Sequence, residues 1–150
     1  MAVTKDACAR ELLEVVPMVM RFIRAQMRIY GAVDLSVPQF RALLFIKRHI
    51  GSSLGSVAEN LGLTAPSMSK LIEGLNRRGL VERKGSSLDR RKVTIGITTS
   101  GDELLDRALD GTEKSLSAAM TTLTTEELRT VRAAMEALKR VFPATRQEAV

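Results

Sequence analysis

The stretch SVAENLGLTAPSMSKLIEGLNRRGLVERKGSSLDRRKVTIGIT, residues 56–98, decides the fold because its apolar period changes partway along. Val57, Ala58 and Leu61 lie on one face of a short helix stopped by Gly62. Met68, Leu71, Ile72 and Leu75 lie on one face of the next, which Thr64 can cap, Pro66 can start and Gly79 can close. Two short helices cross closely only where the contact residue is small, as Ala58 is, and the tight turn between them favours a residue tolerant of positive φ, as Gly62 is. Leu63, Met68 and Leu71 complete an apolar seam. Beyond Gly79 the period shortens to two. Val93, Ile95 and Ile97 alternate with Thr94, Gly96 and Thr98, and together with the segment around Val81 they predict two strands flanking the tip GSSLDRRK, residues 85–92. The succession predicts a helix-turn-helix followed by a basic hairpin. Plain helix packing, and a solvated turn whose charges only deter sheet-edge pairing, are the competing readings of its two halves.

Charge is concentrated in the same region. The chain carries a net charge of +6, and Thr64 to Lys92 alone holds eight cations against three acids, a net +5. A localised basic patch is the electrostatic footprint of a polyanion binder. If the apolar face of the second helix turns inward, Ser67, Ser69, Lys70, Glu73, Asn76 and Arg77 face out, with Thr64, Ala65 and Pro66 at the helix start. Small hydroxyls there let the helix end approach phosphates and base edges, while Lys70 and Arg77 can meet phosphate or guanine acceptors. Glu73 would repel phosphate, so it accepts from a cytosine amine, orients a neighbouring cation, or points away. At the hairpin tip, Asp89 stands two residues before Arg91 and can hold its guanidinium in one orientation, which a narrow minor groove rewards. Arg90 and Lys92 would serve flanking phosphates.

Outside this core the chain reads as helices. From Lys5 to Tyr30 the apolar positions Leu12, Leu13, Val16, Met20, Ile23, Met27 and Tyr30 mark one face, and Pro17 either bends that helix or starts a new one before GAVD (31–34) ends it. Ser36 and Pro38 open a second helix bearing Phe40, Leu43, Leu44, Ile46 and Ile50 and stopped by Gly51, and Ser52 or Ser53 caps the short helix that follows. Thr99, with Asp102 three residues on, fits the cap of a long helix carrying Leu104, Leu105, Ala108, Leu109, Leu116, Ala119 and Met120. Thr124 and Glu127 have capping-box spacing for a last helix whose apolar residues Leu128, Val131, Met135, Leu138 and Phe142 step by three and four until Pro143. These two helices offer more apolar surface than one small winged domain covers, so a partner surface is the simplest outlet. A coiled hairpin between them is the competing account, and both can hold at once.

Composition excludes several classes. Aromatic residues are 3% of the chain, so the core rests on aliphatic residues and Met and favours helix packing. One histidine, His49, forms no metal cluster, and GSSLG at 51–55 lacks the spacing of a phosphate-binding loop, so neither metal, cofactor nor enzyme activity is expected. Cys8 is the single cysteine and forms no internal disulfide. No targeting segment is visible, and apolar runs such as VVPMVM are far too short to span a bilayer, so no membrane partner and a cytoplasmic location are expected.

The strings SVAENLGLTAPSMSKLIEGLNRRGLVER, SSLDRRKVTIGITTSG and LTTEELRTV, in this order and between further helices, resemble the MarR family of winged-helix transcription regulators over roughly residues 10–142. The Asp-Arg-Arg, strand and Thr-Ser-Gly helix start are the most specific part. The resemblance implies a mainly α fold with a small β-wing in a single chain, 1–150. Residues 36–98 would form the winged helix-turn-helix lobe, and 5–31 with 99–142 the helical dimerisation region. It implies a homodimer that joins through Leu12, Leu13, Val16, Leu128, Val131, Met135, Leu138 and Phe142. Its two recognition helices would enter successive major grooves of a pseudo-palindromic double-stranded DNA operator. Ser67, Ser69 and Lys70 fall where the family reads DNA, and Asp89 with Arg91 where its wing enters the minor groove. Relatives answer to small lipophilic or phenolic effectors, which implies a ligand-responsive repressor. The ligand-binding residues are unknown from sequence, since Met18, Phe22, Met27, Tyr30 and Arg41 read equally as core or surface. Two alternatives stand beside this: a winged-helix interaction module for an acidic partner, and a thiol-based redox regulator using Cys8.

Overall fold

In the computed structural model, residues 2–32, 34–85 and 93–143 are described, and the chain divides into two units, 1–114 and 115–150. The first unit runs α1 (Lys5–Met27), one π-helical turn (Arg28–Ala32), α2 (Val37–Arg48), β1 (Ser52–Ser53), α3 (Leu54–Leu61), α4 (Ala65–Arg77), β2 (Val81–Gly85) and β3 (Val93–Ile97). The long α5 (Thr99–Ala119) leads from the first unit into the second, which continues with a 3-10 turn (Met120–Thr122) and α6 (Thr125–Val141).

The core of the first unit sits where the change of period placed it. Leu43 and Ala42 of α2, Val57 of α3, and Met68, Ile72 and Leu75 of α4 are completely buried, with Val81, Ile95 and Leu105 closing the cluster. Full burial of one such side chain contributes about 1.5–3 kcal/mol. The sheet has the order β1-β3-β2, antiparallel throughout, with Val81 opposite Ile97, Gly85 opposite Val93 and Ser52 opposite Ile95.

Two local expectations are corrected and one is narrowed. Pro17 starts no new helix, since α1 runs through it. A proline inside a helix deprives the carbonyl four residues earlier of its donor, and here that residue is the exposed Leu13, which solvent can satisfy. The real break comes at Tyr30 (φ −94°, ψ 18°) and Gly31 (φ 124°). α2 ends at Arg48, with the His49 N–H returning to the Phe45 carbonyl at 2.9 Å, so Ile50 lies beyond the helix and is fully exposed rather than inward. The cap of α5 is Thr98 rather than Thr99: its Oγ1 accepts the Gly101 N–H at 3.1 Å. The third strand, β1, had no expectation at all.

Other caps follow the sequence closely. Ser36 with Gln39, Ser53 with Ser56, and Thr124 with Glu127 form reciprocal capping boxes, and Thr64 caps α4. Two glycines of α5 are dictated by contact. A Cβ on Gly101 would come within 2.1 Å of the Leu80 carbonyl oxygen, and one on Gly111 within 2.2 Å of the Tyr30 ring. Lys47 of α2 ties α5 to the lobe by pairing with Asp102 at 2.7 Å and Asp106 at 2.5 Å, and the hydrogen bonds it donates to these carboxylates, Asp102 first, hold its ammonium above the usual lysine range.

Within the second unit, α6 is capped and salt-bridged, with Glu126–Arg129 at 3.1 Å and Glu136–Lys139 at 2.9 Å, yet none of its residues is buried. Among the described residues no helix is long and apolar enough to cross a membrane.

Candidate nucleic-acid interface

The turn between α3 and α4 is closed by Gly62 at φ 68°, which lets the Leu63 N–H reach the Ala58 carbonyl at 3.0 Å. A left-handed residue at this point costs glycine nothing and other residues about 1–2 kcal/mol. Ala58 is 8% exposed beneath the crossing, and the apolar face of α4 packs into the same core. That leaves the other face of α4 outward.

At the start of α4 the Thr64 hydroxyl accepts the Ser67 N–H at 3.4 Å and donates to the Ser67 Oγ at 3.0 Å. Thr64, Pro66 and Ser67 are exposed there, followed by half-buried Ser69 and exposed Lys70. These five stand together on the first turns, where unpaired backbone N–H groups and the helix dipole favour an anion. Lys70 pairs with no acid among the described residues. Arg77 is exposed on the same helix but about 20 Å further along its axis than Thr64, so it belongs to the far end of the surface. Of the three readings open for Glu73, orientation of a cation is the one the geometry realises: its Oε1 lies 3.4 Å from Arg77 Nη2.

The hairpin rises beside this helix. Val81 and Ile95 anchor it in the core, while Glu82 and Lys84 pair at 3.2 Å on the opposite face and the Thr94 hydroxyl donates to the Lys84 carbonyl at 3.3 Å. The described pairing ends at Gly85 and Val93. Asp89, Arg90, Arg91 and Lys92 lie outside the described residues.

The apolar positions expected to join two chains are elsewhere. Leu12 and Leu138 are half-buried, and Leu13, Val16, Leu128, Val131, Met135 and Phe142 are exposed, Phe142 to 66%. Cys8 is free and exposed on α1. Of the residues left undecided between core and surface, Phe22 and Met27 are half-buried, Met18 and Arg41 exposed, and Tyr30 lies against Gly111 while remaining 39% exposed. Among the described residues no cluster of metal-ligating side chains occurs.

Sequence reasoning left the Glu73–Arg77 pair as one of three readings, although the i, i+4 spacing of opposite charges signals it. It missed a hydrogen bond of 2.9 Å from Arg78 Nη1 to the Asp34 carbonyl, for which the sequence carries no signal.

Comparison with known proteins agrees with this architecture. A profile of the MarR family matches residues 33–92. The chain is 33% identical to the helix-turn-helix transcriptional repressor YetL of Bacillus subtilis, over 65% of this chain and 60% of that protein. It is 24% identical to the helix-turn-helix transcriptional regulator YfiV of the same organism, over 77% of this chain and 72% of that one. Among solved structures it resembles Rv1404 of Mycobacterium tuberculosis, with a TM-score of 0.84 at 16% identity, over 99% of this chain and 100% of that one.

Proposed function

Since the chain belongs to the MarR family of winged-helix transcription regulators, DNA-binding proteins rather than enzymes, we propose that it acts as a homodimeric repressor that binds a pseudo-palindromic operator and leaves it when a small lipophilic or phenolic effector binds. The observation that carries the reading is the division of α4: Met68, Ile72 and Leu75 have no exposure, while Thr64, Pro66, Ser67 and Lys70 stand outward at its positive end in the segment of highest positive charge.

In this reading α4 enters the major groove. Thr64, Pro66 and Ser67 bring the helix end against the phosphate backbone, and Ser69 and Lys70 meet base edges. Arg77, aimed by Glu73, takes a phosphate at the margin. Asp89 orients Arg91 into the adjacent minor groove, and Arg90 and Lys92 grip the flanking phosphates. Leu12, Leu13 and Val16 of α1, with Leu128, Val131, Met135, Leu138 and Phe142 of α6, bury themselves against a second copy. A dimer presents two α4 helices at a fixed separation, so an effector that favours another separation lowers DNA affinity by its differential binding to that state. A protein that works on DNA in this way acts in the cytoplasm.

Duplex titration across a salt series tests the reading, with the duplex taken from fragments selected by the purified protein. Preference for one palindrome and a steep fall of affinity with salt are expected. Absence of duplex binding even at low salt, with retention of an acidic protein instead, would overturn it.

A further inference from the structure

We propose that Arg78 is a positioning residue: it clasps the connection between α1 and α2 onto the end of α4 and so fixes the seat from which α4 reads DNA. The proposal rests on the reading of α4 given above.

Arg78 is held where it can do this. α4 closes with the Gly79 N–H on the Asn76 carbonyl at 2.9 Å and the Leu80 N–H on the Leu75 carbonyl at 3.0 Å, with Gly79 at φ 70°. This double closure fixes the backbone of the residue before the glycine. From that base Arg78 Nη1 donates to the Asp34 carbonyl at 2.9 Å, 44 residues away in the sequence. Asp34 follows the break at Tyr30 and Gly31 and precedes the Ser36 cap, so its carbonyl belongs to no helix. A guanidinium stays charged throughout the physiological range, and a backbone carbonyl cannot be substituted away, so the pair persists across conditions.

A second contact lies one turn earlier on the same face. Gln39 Nε2 would stand 3.4 Å from a Cβ on Gly74, four residues before Arg78, while Gln39 Oε1 accepts the Ser36 N–H at 3.0 Å. Residues four apart on a helix share a face. The face bearing Gly74 and Arg78 therefore meets the first turn of α2 and Asp34, two residues before its cap. Arg77 points elsewhere and pairs with Glu73. The two adjacent arginines, both exposed, thus divide their work: Arg77 is oriented by Glu73 on its own helix, and Arg78 reaches across the surface to the backbone before α2.

The test compares wild type, Arg78→Ala and Arg78→Lys on a duplex selected by the wild-type protein and on a scrambled duplex of equal length, each across a salt series. Arg78→Ala is expected to bind the selected duplex about 3- to 10-fold more weakly, the net scale of one lost solvent-exposed hydrogen bond, with an unchanged salt slope and an unchanged affinity for the scrambled duplex. Arg78→Lys, which can still donate to the carbonyl, recovers most of the loss. If Arg78→Ala does not fold, Arg78→Met, which keeps the stem without the donor, is read by the same outcomes. Equal losses on both duplexes with a slope reduced by about one would make Arg78 a phosphate contact and overturn the clasp. Unchanged affinity for the selected duplex overturns the clasp alone, whereas wild type binding neither duplex at low salt overturns the reading of α4 and the clasp with it.

Discussion

α4 and α6 are built alike and end up differently. Each is opened by a threonine cap and carries one apolar stripe, but Met68, Ile72 and Leu75 of α4 are sealed in the core, whereas Met135 of α6 is 48% exposed and none of its neighbours is buried. Periodicity reports that a face needs cover. It does not report who supplies it. For α4 the cover comes from the helices and strands of its own unit, Leu43, Val57, Ile95 and Leu105 among them. For α6 none of its residues is buried, and a second copy is the occupant proposed for its stripe.

The largest expected effect falls on the sealed helix. Ile72→Ala removes a completely buried side chain and should destabilise the protein by about 2–5 kcal/mol in urea unfolding. A cost below about 1 kcal/mol would mean that the seat of α4 is looser than its burial indicates. At the other helix, Met135→Glu should convert a dimer to single chains in sedimentation equilibrium while helical content is kept, since a charge on the stripe opposes its burial. A dimer that survives Met135→Glu, or a wild type that is already a single chain, would remove α6 from the interface. Smallest is the cap they share in kind: Thr124→Ala should cost about 1 kcal/mol. The Thr124 N–H, and then its hydroxyl, hold the Glu127 carboxyl below its usual range. The stability this gives is present above the ordinary carboxylate range and is lost as the pH falls through the lowered folded value. Glu127→Gln should flatten that part of the acid unfolding profile, and an unaltered profile would separate the box from stability.

Much of this was legible beforehand for a physical reason. Ala58, Gly62, Thr64, Pro66 and Gly79 are local devices whose demands act within a few residues, and each stands where it was expected. The same holds for the capping box at Thr124 and Glu127. What escaped depends on distant partners. Ser52 and Ser53 show no alternation, and become a strand only because β3 offers Ile95 and Thr94 to pair with. Thr98 rather than Thr99 caps α5 because its hydroxyl is needed at the end of α4. The need for glycine at positions 101 and 111 comes from the Leu80 carbonyl and the Tyr30 ring, which lie against them and are distant in sequence. For the candidate site, the outward face of α4 was readable from its apolar complement, but the commitment of Arg78 to Asp34 was not.

The junction beneath the hairpin has a mechanical consequence. The Thr98 hydroxyl donates to the Gly79 carbonyl at 2.5 Å, the Thr98 N–H donates to the Leu80 carbonyl at 3.1 Å, and the absence of a side chain on Gly101 brings α5 against that same carbonyl. The exit of α4, the exit of the hairpin and the entry of α5 are therefore riveted at one spot. A hairpin root fastened in this way turns with its neighbouring helix as one piece, so a duplex engaging both must accommodate their set spacing by flexing its own axis. Stiff sequences would then be disfavoured even where every contacted base is right.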